Sequence, residues 1–375
     1  MLKGIKHGFL QGLKSAGIFR LVRESEWRRQ RLLILCYHSF SLEDEQQWRP
    51  AAYMRPEAFE ARLLMLRQGE YNVLPLAEAL RRLYANELPP RSVALTFDDG
   101  TYDLYKEAYP RLKKFNFPAT VYQTTYYTAF PRPVFNLVCS YMLWKRRERK
   151  SIDARVLGFE RPLDVTTDAR RQKIVDELVD RAAKENLTGV QKDQLAAQLA
   201  ELLGLDYEEL AAKRILQLMN PAEIAELSQN GIDFQLHTHR HRTPRNQLLF
   251  RKEIRDNRDS LRKYTGSSAA HFCYPLGLYF EEFLSWLSEE EVISATTCDT
   301  GLATRRSHPL LLPRVVDASA QTAIQFESWL TGVGDLLLSA RGGPKRKGSI
   351  AVDGEDARVA ARKLLELKPL ERVPR

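Results

Sequence analysis

Apolar runs of strand length that end abruptly in reactive side chains are the feature that most limits what this chain can become. Ser92-Val93-Ala94-Leu95-Thr96-Phe97 runs into Asp98-Asp99-Gly100, and Ile232 to Leu236 runs into His237-Thr238-His239-Arg240-His241. A third run, Ala270 to Tyr274, continues into Pro275-Leu276-Gly277. Ser92 to Phe97 carries no charged residue, as a strand covered on both faces requires, whereas Asp233 and Gln235 interrupt the run Ile232 to Leu236. Further runs of this type fall at 32–37, 71–74, 119–123, 292–297 and 310–316. Helical patterns separate them, at 56–69, 77–84, 102–114, 221–231, 246–264 and 281–290. Strand–helix alternation of this kind predicts an α/β fold with a parallel sheet and crossover helices. In such folds the chemistry gathers where strands end, and that is where these acids and histidines lie.

The alternation stops near Phe135. Residues 136–219 carry charged helical patterns at 142–150, 168–186, 190–203 and 207–218, so they form a helical insertion between 32–135 and 220–330. Asn220-Pro221 restarts the alternation as an N-cap followed by proline in the first helical turn. Segment 1–31 places Leu2, Ile5, Phe9, Leu13, Ala16 and Phe19 at helical spacing, with Lys3, Lys6 and Lys14 on other faces. Segment 331–375 is expected to be a basic, partly mobile tail with a helix at 355–367.

Charge follows this division. The net charge is +9, with +6 in residues 1–31 and +5 in 341–375, leaving −2 for the body between them. A nucleic-acid binder needs its basic surface on the folded domain, so none is expected as a partner. The basic amphipathic stretch 1–22 fits either an anionic membrane surface or a seat on its own domain. No apolar run reaches the ~18 residues of a membrane span. Lysines interrupt every candidate secretory core, and Cys36, Cys139, Cys273 and Cys298 form no CxxC pair. Those features point to reduced thiols in a cytoplasmic protein, with contact at the inner membrane as the peripheral option.

Three of the chain's seven histidines fall within five residues. An extended backbone would put His237, His239 and His241 on one face; a turn would pair His237 with His241 and send His239 away. Two imidazoles and one carboxylate with an open fourth position make a catalytic zinc arrangement, and a second carboxylate can then serve as base.

With these residues in view, Thr96-Phe97-Asp98-Asp99-Gly100 resembles the first motif of the polysaccharide deacetylases, the NodB-homology family also called carbohydrate esterase family four. His237-Thr238-His239-Arg240-His241 is similar to its second motif, and Phe272-Cys273-Tyr274-Pro275-Leu276-Gly277 to the aromatic-Pro-x-Gly form of its third. Leu312-Pro313-Arg314 resembles a late element of the same exopolysaccharide branch. The resemblance covers about 32–134 and 220–317. It implies a distorted (β/α) barrel interrupted by the helical insertion, and a hydrolase removing N-acetyl, before O-acetyl, groups from a saccharide.

Carried over by position, the resemblance makes Asp99, His237 and His241 the ligands of a divalent metal, Zn2+ foremost, with Co2+, Ni2+ and Mn2+ as alternatives. Asp98 becomes the base. Leu276 supplies an oxyanion-binding N–H, with Tyr274 beside the substrate; His38, which follows Cys36-Tyr37 at another strand end, is a further candidate to line the site. Cys273 stands where many members carry the arginine that orients the base, so Arg314 is expected to reach Asp98 from elsewhere in the barrel. The family's late acid histidine has no clear counterpart; His308 is the nearest in sequence. Tyr122, Tyr126, Tyr127 and Trp144 are candidates for an aromatic wall of a sugar groove. Two rival readings are a hydrolase of non-sugar amides or imides and a saccharide-binding relative without turnover.

Overall fold

Seven parallel strands close into a barrel in simple chain order. They are β1 (Leu33–Tyr37), β2 (Ser92–Phe97), β3 (Thr120–Gln123), β4 (Asp233–Leu236), β5 (His271–Cys273), β6 (Ser294–Thr300) and β7 (Leu312–Val316). Closure comes from β7 returning to β1, with Leu35 opposite Val315 and Cys36 opposite Val316. The short strand Asn72–Val73 adds to the start of β2, on the edge that β3 occupies further along. This computed structural model describes residues 2–340 and 355–367. Much of the basic tail expected to be mobile, 341–354 and 368–375, lies outside the described residues.

Side-chain alternation sorts each strand into two populations. Leu33, Leu35, Tyr37, Val93, Leu95 and Phe97 face the surrounding helices in the main apolar core. Ile34, Ala94, Tyr122, Cys273 and Leu312 fill the barrel interior instead. Since both faces are buried, β1 and β2 read as nearly continuous apolar runs, whereas β4 keeps Asp233 and Gln235. Tyr122, expected to line a sugar groove, is one of these interior fillers and is fully buried.

The insertion folds around its own apolar cluster. Helices Phe135–Lys145, Asp168–Lys184, Gly189–Leu203 and Tyr207–Ala212 bring together Val138, Met142, Ile174, Leu178, Leu199 and Leu203. Trp144 belongs to this cluster, stacked on Tyr141, so it too is core rather than groove wall. The helix expected over 142–150 instead runs from Phe135 to Lys145. Its basic continuation has another use: Arg146 donates to the carbonyls of Leu203 and Gly204, and Arg149 to that of Leu202. These guanidinium groups satisfy carbonyls that the end of helix Gly189–Leu203 leaves open.

The N-terminal amphipathic stretch takes the docked arrangement. Helices Leu2–Ser15 and Ile18–Glu24 bury Leu10 and Phe19 against Ile324 and Val333, with Leu13, Ile18, Val22 and Leu337 around them. Lys14 Nζ closes the contact on Glu327 Oε2 at 2.6 Å. Of the stripe's described side chains Phe19 is buried and Leu13 half-buried by this contact, whereas Phe9 and Ala16 stay exposed. Among the described residues no helix is long and apolar enough to cross a membrane.

Candidate active site

The strand ends meet at one mouth of the barrel. Asp98 and Asp99 follow β2, and the backbone turns sharply there: Asp99 has φ +70° and Gly100 φ +75°. Aspartate tolerates the left-handed region better than most side chains, and the next position needs glycine, since a Cβ would fall 1.9 Å from Gln123 Oε1. The turn sends the two carboxylates different ways. Asp98 points into the barrel and is buried; Asp99 opens to the mouth.

The histidine segment after β4 also turns. Thr238 at φ +62° and His241 at φ +54° fold the backbone so that His237 and His241 converge, their ring centroids 4.9 Å apart. Both rings aim Nε2 at Asp99 Oδ1, at 3.2 Å from His237 and 3.1 Å from His241. His239 turns away, with Nδ1 2.9 Å from Thr125 Oγ1 and its ring edge-on to Tyr126. Of the two arrangements open in the sequence, the turn is the one formed. Asp99, His237 and His241 offer three ligand atoms within 4.8 Å of one another. His237 Nδ1 lies 2.9 Å from the Cys273 carbonyl, which can only accept, so the proton sits on Nδ1 and Nε2 presents its lone pair.

Asp98 has a different partner. Arg314, on the inward face of β7, donates from its two terminal nitrogens to Asp98 Oδ1 and Oδ2, each at 2.7 Å, and both residues are buried. Its Nε donates to the Thr297 carbonyl at 3.0 Å. Burial alone would raise the Asp98 pKa. The Arg314 guanidinium outweighs it, with His38 and His237 adding to the effect, and holds the carboxyl well below its usual range. Cys273 makes room for this geometry: its Sγ is 3.1 Å from the Arg314 guanidinium and 3.4 Å from Asp98. Cys36 Sγ lies 3.5 Å from the same carboxylate. Burial pushes both thiols well above their ordinary pKa, so they stay neutral beside the charge.

The remaining candidates divide. His38 sits at the end of β1, 26% exposed, with Nε2 3.8 Å from Asp98 Oδ2. Leu276 stands 74% exposed on the turn after β5, with φ +57°. Tyr274, placed beside the substrate by the resemblance, is instead fully buried between Phe272 and Tyr279, and its hydroxyl donates to the Leu310 carbonyl at 3.1 Å. Strand alternation explains the correction: Cys273 faces the interior, so Tyr274 must face the helices. His308 is buried away from the mouth, its Nδ1 accepting the Leu310 N–H at 3.1 Å.

Residues not singled out in the sequence hold the histidine turn in place. Asn257 Oδ1 accepts the His237 N–H at 2.9 Å, and its Nδ2 donates to the Gln123 carbonyl and Thr125 Oγ1. Glu253 accepts from the Arg240 N–H at 2.8 Å and from the Arg242 guanidinium. Both lie buried on helix Gln247–Thr265. Their signal was available: two polar side chains at i and i+4 on the stripe shared by Phe250, Ile254 and Leu261 are out of place unless they have buried partners.

Comparison with known proteins agrees with this arrangement. Residues 85–134 and 191–292 match the model of the polysaccharide deacetylase family. Over 93 residues, 24% of this chain, identity is 36% to YxkH of Bacillus subtilis (strain 168), a protein carrying the polysaccharide deacetylase name; the match spans 31% of its length. Over 62 residues, 16% of this chain, identity is 39% to the poly-β-1,6-N-acetyl-D-glucosamine N-deacetylase of Staphylococcus aureus (strain MSSA476), spanning 21% of it. The chain therefore spans less than a third of these relatives' own length. Among solved structures, Streptococcus pyogenes deacetylase PplD in complex with acetate aligns with a TM-score of 0.53 at 20% identity, over 80% of this chain and 97% of that one, which establishes the shared fold. The family match falls on the strands and turns that present Asp98, Asp99, His237 and His241, and in these segments the chain is similar to the polysaccharide deacetylase family.

Proposed function

We propose that the chain is a metal-dependent deacetylase that hydrolyses N-acetyl groups of a saccharide. The observation that carries this reading is the meeting of Asp99, His237 and His241 beside an ion-paired, buried Asp98. The donor set suits a divalent cation: two imidazole lone pairs and one carboxylate aim at one point, and His237 is fixed from behind by a carbonyl. Zinc is the first choice for such a set, with cobalt, nickel and manganese as substitutes. Bound there, the ion supplies a Lewis acid and lowers the pKa of water.

The chain's own residues account for the remaining work. Asp98, kept ionised by Arg314, accepts the proton of the water that adds to the acetamido carbonyl. Leu276, on its exposed turn, offers an N–H to the developing oxyanion. His38, beside Asp98, is the ring that returns a proton to the departing amine as the C–N bond breaks, leaving acetate. The names of the relatives support N- over O-deacetylation. The intact Asp98–Arg314 pair argues against a binding-only relative, which would have no need of a buried, ionised base. We further propose that 32–135 and 220–330 form the catalytic barrel around a 136–219 insertion, and that the four free thiols suit a reducing, cytoplasmic compartment.

Metal titration tests the centre itself. One equivalent of zinc or cobalt should bind per chain, with His237→Ala and His241→Ala each losing at least tenfold in affinity and His239→Ala keeping it. Loss in His239→Ala with retention in His241→Ala would overturn the ligand assignment. Turnover is tested by acetate released from an acetylated saccharide.

A further inference from the structure

A cavity of about 500 Å³ lies against the end of β7, lined by Leu10, Val316, Ala318, Ala320, Trp329 and Leu337 among others. Its position follows from the strand register. Val316 shares the inward face of β7 with Arg314, one side-chain layer (~7 Å) nearer the mouth. It lies opposite Cys36, whose Sγ is 3.5 Å from Asp98 Oδ2. The cavity wall thus begins next to the residue that touches the base.

Its chemistry is as informative as its place. Among the described residues no charged side chain lines it. Three polar side chains line it, Gln321, Gln325 and Ser328, and each makes hydrogen bonds within the chain. Gln325 Oε1 accepts from the Thr322 N–H and hydroxyl, and Ser328 Oγ donates to the Gln325 carbonyl. Gln321, with its amide turned to face its partners correctly, donates to Asp317 Oδ1 at 2.7 Å and accepts from Trp329 Nε1 at 3.2 Å. What remains toward the space is leucine, valine, alanine and the indole face. A sugar ring needs unsatisfied donors and acceptors around it, whereas an apolar chain needs none. The N-terminal helix completes the enclosure through Leu10, with Phe9 half exposed at the rim.

From this we infer that the saccharide substrate carries an apolar chain, an alkyl or prenyl-type aglycone, and that the chain lies in this cavity while the sugar sits over the Asp98 mouth. The inference rests on the deacetylase reading above. The place of Val316, in the wall of the cavity and one layer above Arg314, favours a chain attached to the substrate over one from bulk lipid.

The test uses the full chain and two glycosides differing only in the aglycone. By calorimetry, octyl β-glucoside below its micellar concentration should bind at least tenfold tighter than methyl β-glucoside; each buried methylene contributes about fourfold. Ala320→Trp, at an exposed rim position, should remove that difference. In the metal-loaded protein, an N-acetylated saccharide with an octyl aglycone should show a KM at least tenfold below its methyl counterpart. Acetate release with equal KM and equal binding would overturn the cavity assignment while keeping the deacetylase reading. Octyl-selective binding with no acetate from either glycoside would overturn the deacetylase reading, and the substrate assignment with it. Binding to phosphatidylglycerol vesicles without preference between the glycosides would assign the cavity to bilayer lipid and overturn the proposal.

Discussion

Asp98→Asn lowers turnover by about 10²–10⁴-fold, the range a positioned general base supplies, while one equivalent of metal stays bound. The two halves of this expectation come from the turn at Asp99. That residue, at φ +70°, swings its carboxylate to His237 and His241, whereas Asp98 stays on the strand's inward face with both oxygens on Arg314. Asparagine keeps the shape and one acceptor but cannot take a proton at neutral pH. Retained metal shows that the site is still formed, so the kinetic loss then reads the base alone. An Asp98→Asn protein turning over at the wild-type rate would remove the base assignment.

Arg314→Leu has the largest expected effect on stability, about 3–5 kcal/mol at neutral pH, because it leaves a buried carboxylate without its partner. The sign of the pH dependence distinguishes this from a packing defect. In the metal-free wild type the folded Asp98 pKa lies below the unfolded value, so its stabilisation is present above about pH 4. It is lost as the pH falls through the folded pKa. In the variant burial is no longer offset by the guanidinium, and the folded pKa rises above the unfolded one. The neutral carboxyl is then the form the native state prefers. The gap between wild type and Arg314→Leu should therefore be widest at pH 7 and narrow toward pH 4. Denaturant melts at the two pH values measure it; a gap of constant size would assign Arg314 a packing role only. Turnover should fall with stability, because a protonated Asp98 cannot act as acceptor.

The barrel was legible in the sequence because a strand buried on both faces leaves a plain mark, and because reactive residues at strand ends have few structural uses. The same marks located Asp98, Asp99, His237 and His241 at strand ends. They could not decide whether the histidine segment is extended or turned. That depends on left-handed backbone at Thr238 and His241, held by Asn257 and Glu253 from the following helix. Strand marks alone also do not join Arg314 to Asp98 across 216 residues, since that contact exists only once β7 closes on β1; the expectation of it came from the resemblance, in which Cys273 replaces the usual arginine. Tyr274 shows the opposite failure. A motif gives a residue's neighbourhood, but the parity of the strand decides its face, and parity put Cys273 inside and Tyr274 out. Trp144 and Tyr122 were misplaced for a related reason: aromatic side chains suit a sugar groove and a core equally, and only packing tells them apart.

The central claim is that this mouth hydrolyses an acetamide with the aid of a divalent ion. It is tested most directly by incubating the zinc- or cobalt-loaded chain with an N-acetylated saccharide and measuring acetate and free amine together. Equal amounts of the two, abolished by chelation and restored by added metal, are the predicted result. No acetate from any acetylated saccharide, free or lipid-linked, from a protein shown to hold its metal would contradict it.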